Sequence, residues 1–326
     1  MAPPITAPRA ATDAWGAWDR FLSGHPDSGF HQSSWWAAVH RRAGEGSFGV
    51  MVRRNGIVHG GATVIRAPWD EDHAFYHIVD GPVLPPDPAL AEEVLWSILA
   101  TLQRRRAREP VVISHLRLEP RWREIPDFLR ELGPLVIAPS RQVTSIDLGA
   151  SETSILAQMS RSARASIALA RQLGIRITED AGPQGIADLR HLAERAVAVE
   201  TGADAPDTER LLPLLQVAGR GGILFAEDGS ERLAGAALVH FGARATLLVA
   251  AADSLVADAP APALLQFEVM RRAKARHCQE YDLGALSTRL GAFGGEAQTR
   301  VGPIDIIISP TAYERFTLAQ RKTVAP

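Results

Sequence analysis

The sequence predicts an α/β (α+β) protein of two similar domains, each a mixed, mostly antiparallel sheet with packed helices. Three observations carry this. Apolar runs flank Asn55-Gly56 at 48–65 and Asp228-Gly229 at 221–241, and paired runs around such dipeptides read as β-hairpins. Each hairpin is followed by a third apolar run, 75–79 and 245–250, and then by a helix opening at a proline, about 88–107 and 262–277. Each helix leads to one more strand, 111–116 and 280–286, and matching elements lie roughly 170–175 residues apart, as in a duplicated unit. The boundary falls near 140–144. The expected domains are 1–143, with 1–12 as a proline-rich leader, and 144–326.

Composition narrows the class. An apolar content of 46% in 326 residues is enough for two ordinary cores. The formal charge of −2 provides no global basic field, so a polyanionic partner must meet a local patch. Cys278 is the single cysteine, which excludes a disulfide framework and a four-cysteine zinc site; it reads as a buried structural thiol. The ten histidines lack ligand spacing, so no metal is expected. Residues 1–15 have no apolar h-region, and the apolar stretch 233–252 is interrupted by His240 and Arg244, as two buried strands would be. The expected location is cytoplasmic. G-x-S-x-G, H-E-x-x-H, the P-loop pattern and C-x-x-C are all absent.

The segment 151–174 reads as one helix, capped by Ser151 and ended by Gly174. Ile155, Met159, Ala163, Ile167 and Ala170 form its apolar stripe, and Arg161, Arg164 and Arg171 fall together on the opposite side. Two readings stand for this basic side: a solvated face, or a phosphate-binding face. Three arginines with no interleaved acid suit a nucleic-acid backbone better than intrahelical ion pairs.

Antiparallel strands, a crossover helix and a further strand make up the pattern of acetyltransferase-like (GNAT) domains. Acyl-CoA members of that class hold a pyrophosphate on a Gly-rich loop before the crossover helix. The corresponding segments here, "VDGPVLPPDPAL" and "AADSLVADAPAPALL", lack those glycines and carry prolines that remove donors.

Five segments in order resemble the Fem family of aminoacyl-tRNA-dependent peptidyltransferases: "FHQSSWWAAVHRRAG" (30–44), "GPVL" with "LRLEP" (81–84 and 116–120), 144–177, "LLQFEVMRRAKARHCQEYDLGAL" (264–286) and "FGGEAQTRVGPIDIIISPTAY" (293–313). The resemblance implies two tandem GNAT-like domains, aminoacyl-tRNA as donor and co-substrate, and no cofactor. The acceptor it implies is a peptide or a peptidyl small molecule, either a cell-wall precursor or an antibiotic intermediate. On this resemblance Gln32, Trp36, His40 and Arg41 are candidate acceptor-binding residues, and Phe293 joins Arg161, Arg164 and Arg171 toward tRNA. Asp282, Arg289 and Glu296 are the candidate catalytic residues. The chain departs from the family where His40 stands for a lysine and Arg289-Leu290 for Phe-Lys. A monomer is expected. An acyl-CoA N-acyltransferase on the same fold, and a tRNA- or peptide-binding protein without catalysis, remain the alternatives.

Overall fold

The computed structural model describes residues 9–131, 133–196, 200–201, 220–252, 260–285 and 291–324. Its first elements are α1 (Arg9–Ser23), α2 (Ser34–Arg42), β1 (Gly46–Arg54), β2 (Ile57–Pro68), β3 (His73–Val79), α3 (Pro88–Arg106), β4 (Val112–Glu119) and β5 (Leu135–Ile137). Then follow β6 (Arg141–Asp147), α4 (Glu152–Gln158), α5 (Arg161–Gln172), β7 (Arg176–Glu179), α6 (Pro183–Arg195), β8 (Glu200–Thr201), β9 (Gly221–Asp228) and β10 (Glu231–Phe241). The last are β11 (Arg244–Ala252), α7 (Pro260–Ala275), β12 (Glu280–Ala285), β13 (Glu296–Arg300), β14 (Ile304–Ile307) and α8 (Pro310–Val324). Two compact units result, one of residues 1–141 with 300–326 and one of 142–299.

The first unit is built on a six-stranded sheet in the order β1-β2-β3-β4-β14-β5. Its opening hairpin turns at Asn55 (φ 52°) and Gly56 (φ 80°), the left-handed pair that a two-residue hairpin needs. Asp87 caps α3 by accepting from the Leu90 N–H, with Pro88 in the first helical turn. Val94, Leu95, Ile98 and Leu102 of that helix bury against Val64, Tyr76, Ile78 and Leu116 of the sheet. The parallel pair β3–β4 runs from His73↔Val112 to Val79↔Glu119, with one register shift between Ala74 and Tyr76.

The end of the chain departs from the expected 144–326 domain. β14 pairs antiparallel with β4 and β5 of the first sheet. Buried Ile304 and partly buried Ile306 extend the first unit's core. Asp305 accepts two hydrogen bonds of 2.8 Å from Arg117 and a third, also 2.8 Å, from the Tyr313 hydroxyl. Residues 300–326 therefore complete the first unit, where a strand edge and the half-buried Arg117 await them.

The second unit carries β13-β6-β12-β11-β10-β9-β7, with β8 added along β11. Strand alternation gives each face its own helices. Leu224 and Ala226 join the core with Ile167 of α5 and Phe267 of α7. Gly235 lies beneath Leu189 of α6, where a Cβ would come within 2.8 Å of the leucine side chain.

The single helix expected over 151–174 is two. Met159 is extended (ψ 152°), and Ser160 caps α5 through its side chain. The break frees the Ser160 N–H from the helix ladder, and it donates instead to the Ala292 carbonyl at 2.8 Å.

Candidate functional site

The parallel strands of the second unit part where those of the first do not. Among the described residues β11 and β12 pair only at Arg244↔Glu280, Ala245↔Tyr281 and Thr246↔Asp282. Further along the same edge of β11, β8 takes over at Val249↔Thr201 and Ala250↔Glu200, leaving Leu247 and Leu248 between the two pairings. On its other edge β11 faces β10 with a register shift, Ala237↔Val249 but Leu238↔Leu247, so Leu248 is the extra residue of a β-bulge. Bulges re-aim backbone groups and recur beside active sites. β12 is irregular at the same level: its pairing with β6 shifts between Asp282 and Ala285, and Gly284 is left-handed at φ 71°. Asp282 holds that turn by accepting from the Gly284 N–H at 2.9 Å. The result is an opened parallel pair with polar backbone at its mouth, the geometry that can meet a carbonyl group.

The glycine loop 291–296 packs against this place. Phe293 is buried in the unit's core. Gly294 (φ 80°) and Gly295 (φ 100°) approach backbone closely: a Cβ would stand 2.8 Å from the Gln158 carbonyl oxygen and 2.7 Å from that of Ser145. Ser145 faces Asp282 across β6 and β12, so Asp282 and the loop meet through it. Thr144 beside it has a buried hydroxyl with no hydrogen-bond partner. Glu296 opens β13 exposed to solvent. Arg289, with Leu290, lies outside the described residues.

The residues named from sequence thus divide. Asp282 on β12 and Glu296 on β13 lie on strands to either side of β6, and Asp282 is only 3% exposed and is spent on the turn. Phe293 is a core anchor, which corrects its expected place on an RNA surface. Arg161 and Arg164 lie exposed on α5; Arg164 donates to the Ala157 carbonyl at 3.2 Å, and Arg171 lies over the Phe267 ring at 5.3 Å. No sequence signal pointed to Thr144, Ser145 or the Leu248 bulge, because each acquires its place from strand pairing.

The candidates of the first unit also need correction. Gln32 is fully buried, its side-chain oxygen accepting from the Thr63 N–H at 2.7 Å and its nitrogen donating to the Val79 carbonyl. Trp36 is 1% exposed and packs edge-on against Phe30, His31 and His40. Both hold the fold. His40 is buried with Nδ1 on Glu45, while its Nε2 has no hydrogen-bond partner. Arg41 alone of the four is exposed. An opening lies elsewhere in this unit: the loops following β3 and β4 border a cleft of 640 Å³ bounded by Leu84, Pro85, Arg121, Trp122 and Phe128. Asp80, left-handed at φ 55°, stands behind it, 2.7 Å from His31 and 3.7 Å from Arg121. Burial opposes its charge, but His31 and Arg121 outweigh that and hold the carboxyl well below its usual range.

Among the described residues no group of three or more His, Cys, Asp or Glu could hold a metal ion, and no helix is long and apolar enough to cross a membrane. Residues 157–295 match the family model described as an acetyltransferase (GNAT) domain. No curated protein matches the chain. Among solved structures, FemX superposes with a TM-score of 0.77 at 17% identity, covering 97% of this chain and 99% of its own. A tandem GNAT protein from the clavulanic acid biosynthesis pathway gives 0.54 at 14% identity, over 94% and 98% of the two chains. The C-terminal domain of a candidate lysylphosphatidylglycerol synthetase from Agrobacterium fabrum gives 0.51 at 13%, over 94% and 95%. With the two mixed sheets and the parted strands of the second unit, these likenesses define the architecture: the chain has a tandem GNAT fold similar to that of FemX.

Proposed function

We propose that this protein is an aminoacyltransferase that moves an amino acid from aminoacyl-tRNA to the amine of a peptide acceptor, a peptidyl antibiotic intermediate or a peptidoglycan precursor. The observation that carries the reading is the parted β11–β12 pair with its bulge at Leu248, within a Fem-like fold. In the reaction the acceptor amine, neutral, attacks the ester carbonyl. A C–N bond forms, the C–O bond to the tRNA 3′ oxygen breaks, and the amine proton leaves with that oxygen. Alignment and exclusion of water supply most of what such a downhill aminolysis requires.

Each group then has a task. Backbone N–H groups at the Leu247–Leu248 bulge stabilise the oxyanion. Glu296 orients the acceptor amine, Asp282 keeps the Gly284 turn in place, and Arg289 supplies positive charge beside the tRNA 3′ end. Arg161, Arg164 and Arg171 hold tRNA phosphates, while Arg41 contributes to the acceptor side.

A second reading, an acyl-CoA N-acyltransferase, is favoured by the match of residues 157–295 to an acetyltransferase (GNAT) domain. The crossover helices oppose it. α7 carries Pro260 and Pro262 in its first turn, which removes N–H donors, and the N-terminus of α3 is already occupied by the Asp87 carboxylate. The deciding experiment incubates the protein with labelled aminoacyl-tRNAs and peptide acceptors, with RNase and acyl-CoA controls. RNase-sensitive transfer is expected. Transfer that survives RNase, or that acyl-CoA alone supports, overturns the proposal, and tRNA binding without transfer to any acceptor assigns a binding protein instead.

A further inference from the structure

The first unit carries a basic pocket that the transfer site does not use. At the end of α3, Arg104, Arg105, Arg106 and Arg108 fall within five positions, and Glu109 is the one acid beside them. Arg104, Arg105 and Arg108 share a face with Thr101, and with Phe48 and Gly49 of β1 they line a pocket of 410 Å³. The Arg105 guanidinium lies over the Phe48 ring at 3.8 Å and is held by Glu109 at 3.2 Å. Glu109 is fully committed: it also takes Arg66 at 2.8 Å and the Tyr76 hydroxyl at 3.0 Å. Among the described residues no carboxylate lies within ion-pair reach of Arg104, Arg106 or Arg108.

A helix C-terminus favours cations, and that accounts for one or two of these arginines. It does not account for two uncompensated arginines, Arg104 and Arg108, facing one concavity beside a third, Arg105, in a chain whose formal charge is −2. Nor does it account for an arginine held 3.8 Å over an aromatic ring at the pocket wall. Planar guanidinium stacked on an aromatic offers a shelf for a nucleobase, and free guanidinium groups beside it suit phosphodiester oxygens. A lipid surface would call for a protruding apolar side chain, and the lining offers none.

We infer that this pocket binds RNA, taking a phosphodiester on Arg104 and Arg108 and a base against the Arg105–Phe48 shelf, as a contact of the donor tRNA separate from the α5 arginines. Which RNA it takes rests on the proposed function; the binding chemistry does not. The test titrates labelled tRNA into the full-length protein at several salt concentrations, for wild type, Arg104→Ala with Arg108→Ala, and the matching double Lys variant. The Ala pair should bind about tenfold more weakly, with its log–log salt slope reduced by about 1.4, for two lost phosphate contacts. The Lys pair should keep the slope, and all three proteins should melt alike. An unchanged affinity and slope in the Ala pair overturns the inference while leaving tRNA-dependent transfer standing. Wild type that binds tRNA no more tightly than a nucleoside monophosphate also overturns it. So does binding to anionic phosphatidylglycerol vesicles that the Ala pair abolishes while tRNA binding is unmoved. RNA binding lost in the Ala pair of a protein showing no transfer would sink the aminoacyltransferase reading alone.

Discussion

Gly295 lies against the carbonyl of Ser145, so close that a Cβ would stand 2.7 Å from its oxygen. With φ at 100°, the position also disfavours any L side chain. Gly295→Ala should therefore push the loop off β6, at a cost of about 2 kcal/mol. Because Ser145 faces Asp282, the displacement should reach the mouth of the parted strands, and transfer should fall at least tenfold at temperatures where the variant is folded. Denaturant melts and transfer rates on the same preparation check both. A fully active Ala variant would mean the loop has no part in placing substrate.

Asp282 separates two roles by substitution. Asn retains an oxygen to accept from the Gly284 N–H, whereas Ala does not. Asp282→Asn should keep stability within about 1 kcal/mol and most of the transfer rate, and Asp282→Ala should lose roughly 1–2 kcal/mol and much of the activity. If Asn is folded yet inactive, the carboxylate acts directly on substrate and the positioning role is wrong.

Glu296 is exposed and opens β13, so Glu296→Gln should leave the melting curve unchanged. As the residue that orients the amine, its loss of charge should slow transfer about 100-fold, with little change in tRNA affinity. Equal rates for the two proteins would remove Glu296 from the site.

How far these features were legible in the sequence depended on range. The hairpin at Asn55-Gly56, the proline-opened helices and the strands after them are local patterns, and each formed where its spacing placed it. Ser160 was misread because its neighbours keep helical periodicity; only its bond to Ala292, distant in sequence, shows why the helix breaks there. β14 was assigned to the wrong unit for the same reason, since strand partners such as Leu116 and Ile306 are not encoded by proximity. Gln32 and Trp36 look like ligand-facing polar and aromatic residues until their burial between α2 and the sheet is seen. The site itself is mostly backbone: a bulge and a parting of strands leave almost no compositional trace.

The α5 arginines offer a second salt-dependent contact. Replacing Arg161, Arg164 and Arg171 together with Ala should weaken tRNA binding and lower the salt slope by about 2, as three lost phosphate contacts predict. Because Arg171 also covers Phe267, a modest loss of stability is expected with it. Unchanged binding would leave this side of the helix a solvated face.

Two histidines, one in each unit, should contribute to the acid sensitivity of the fold: His115, which is buried, and His240, which is half-buried. Burial pushes His115 down to about 4, with Asp305 partly opposing it, and burial with Arg276 pushes His240 down to about 4. Between pH 4 and the ordinary histidine value near 6.5, the unfolded chain binds the proton that the folded one refuses. Stability therefore falls as pH drops through that window, by about 3 kcal/mol for each histidine between pH 7 and pH 4. Asp305 acts lower. Burial raises its carboxyl, but Arg117 outweighs this and holds it below the usual range, so its contribution is kept above the unfolded value and lost only in stronger acid. Urea melts at pH 7 and pH 4.5 should show the fall, and His115→Gln should lessen it for the first unit, where the ring stacks on Phe75 at 4.8 Å. His240→Gln should do the same for the second, where the imidazole Nδ1 lies 3.6 Å from the Cys278 thiol. If both variants keep the full pH dependence, the sensitivity belongs to the carboxylates instead.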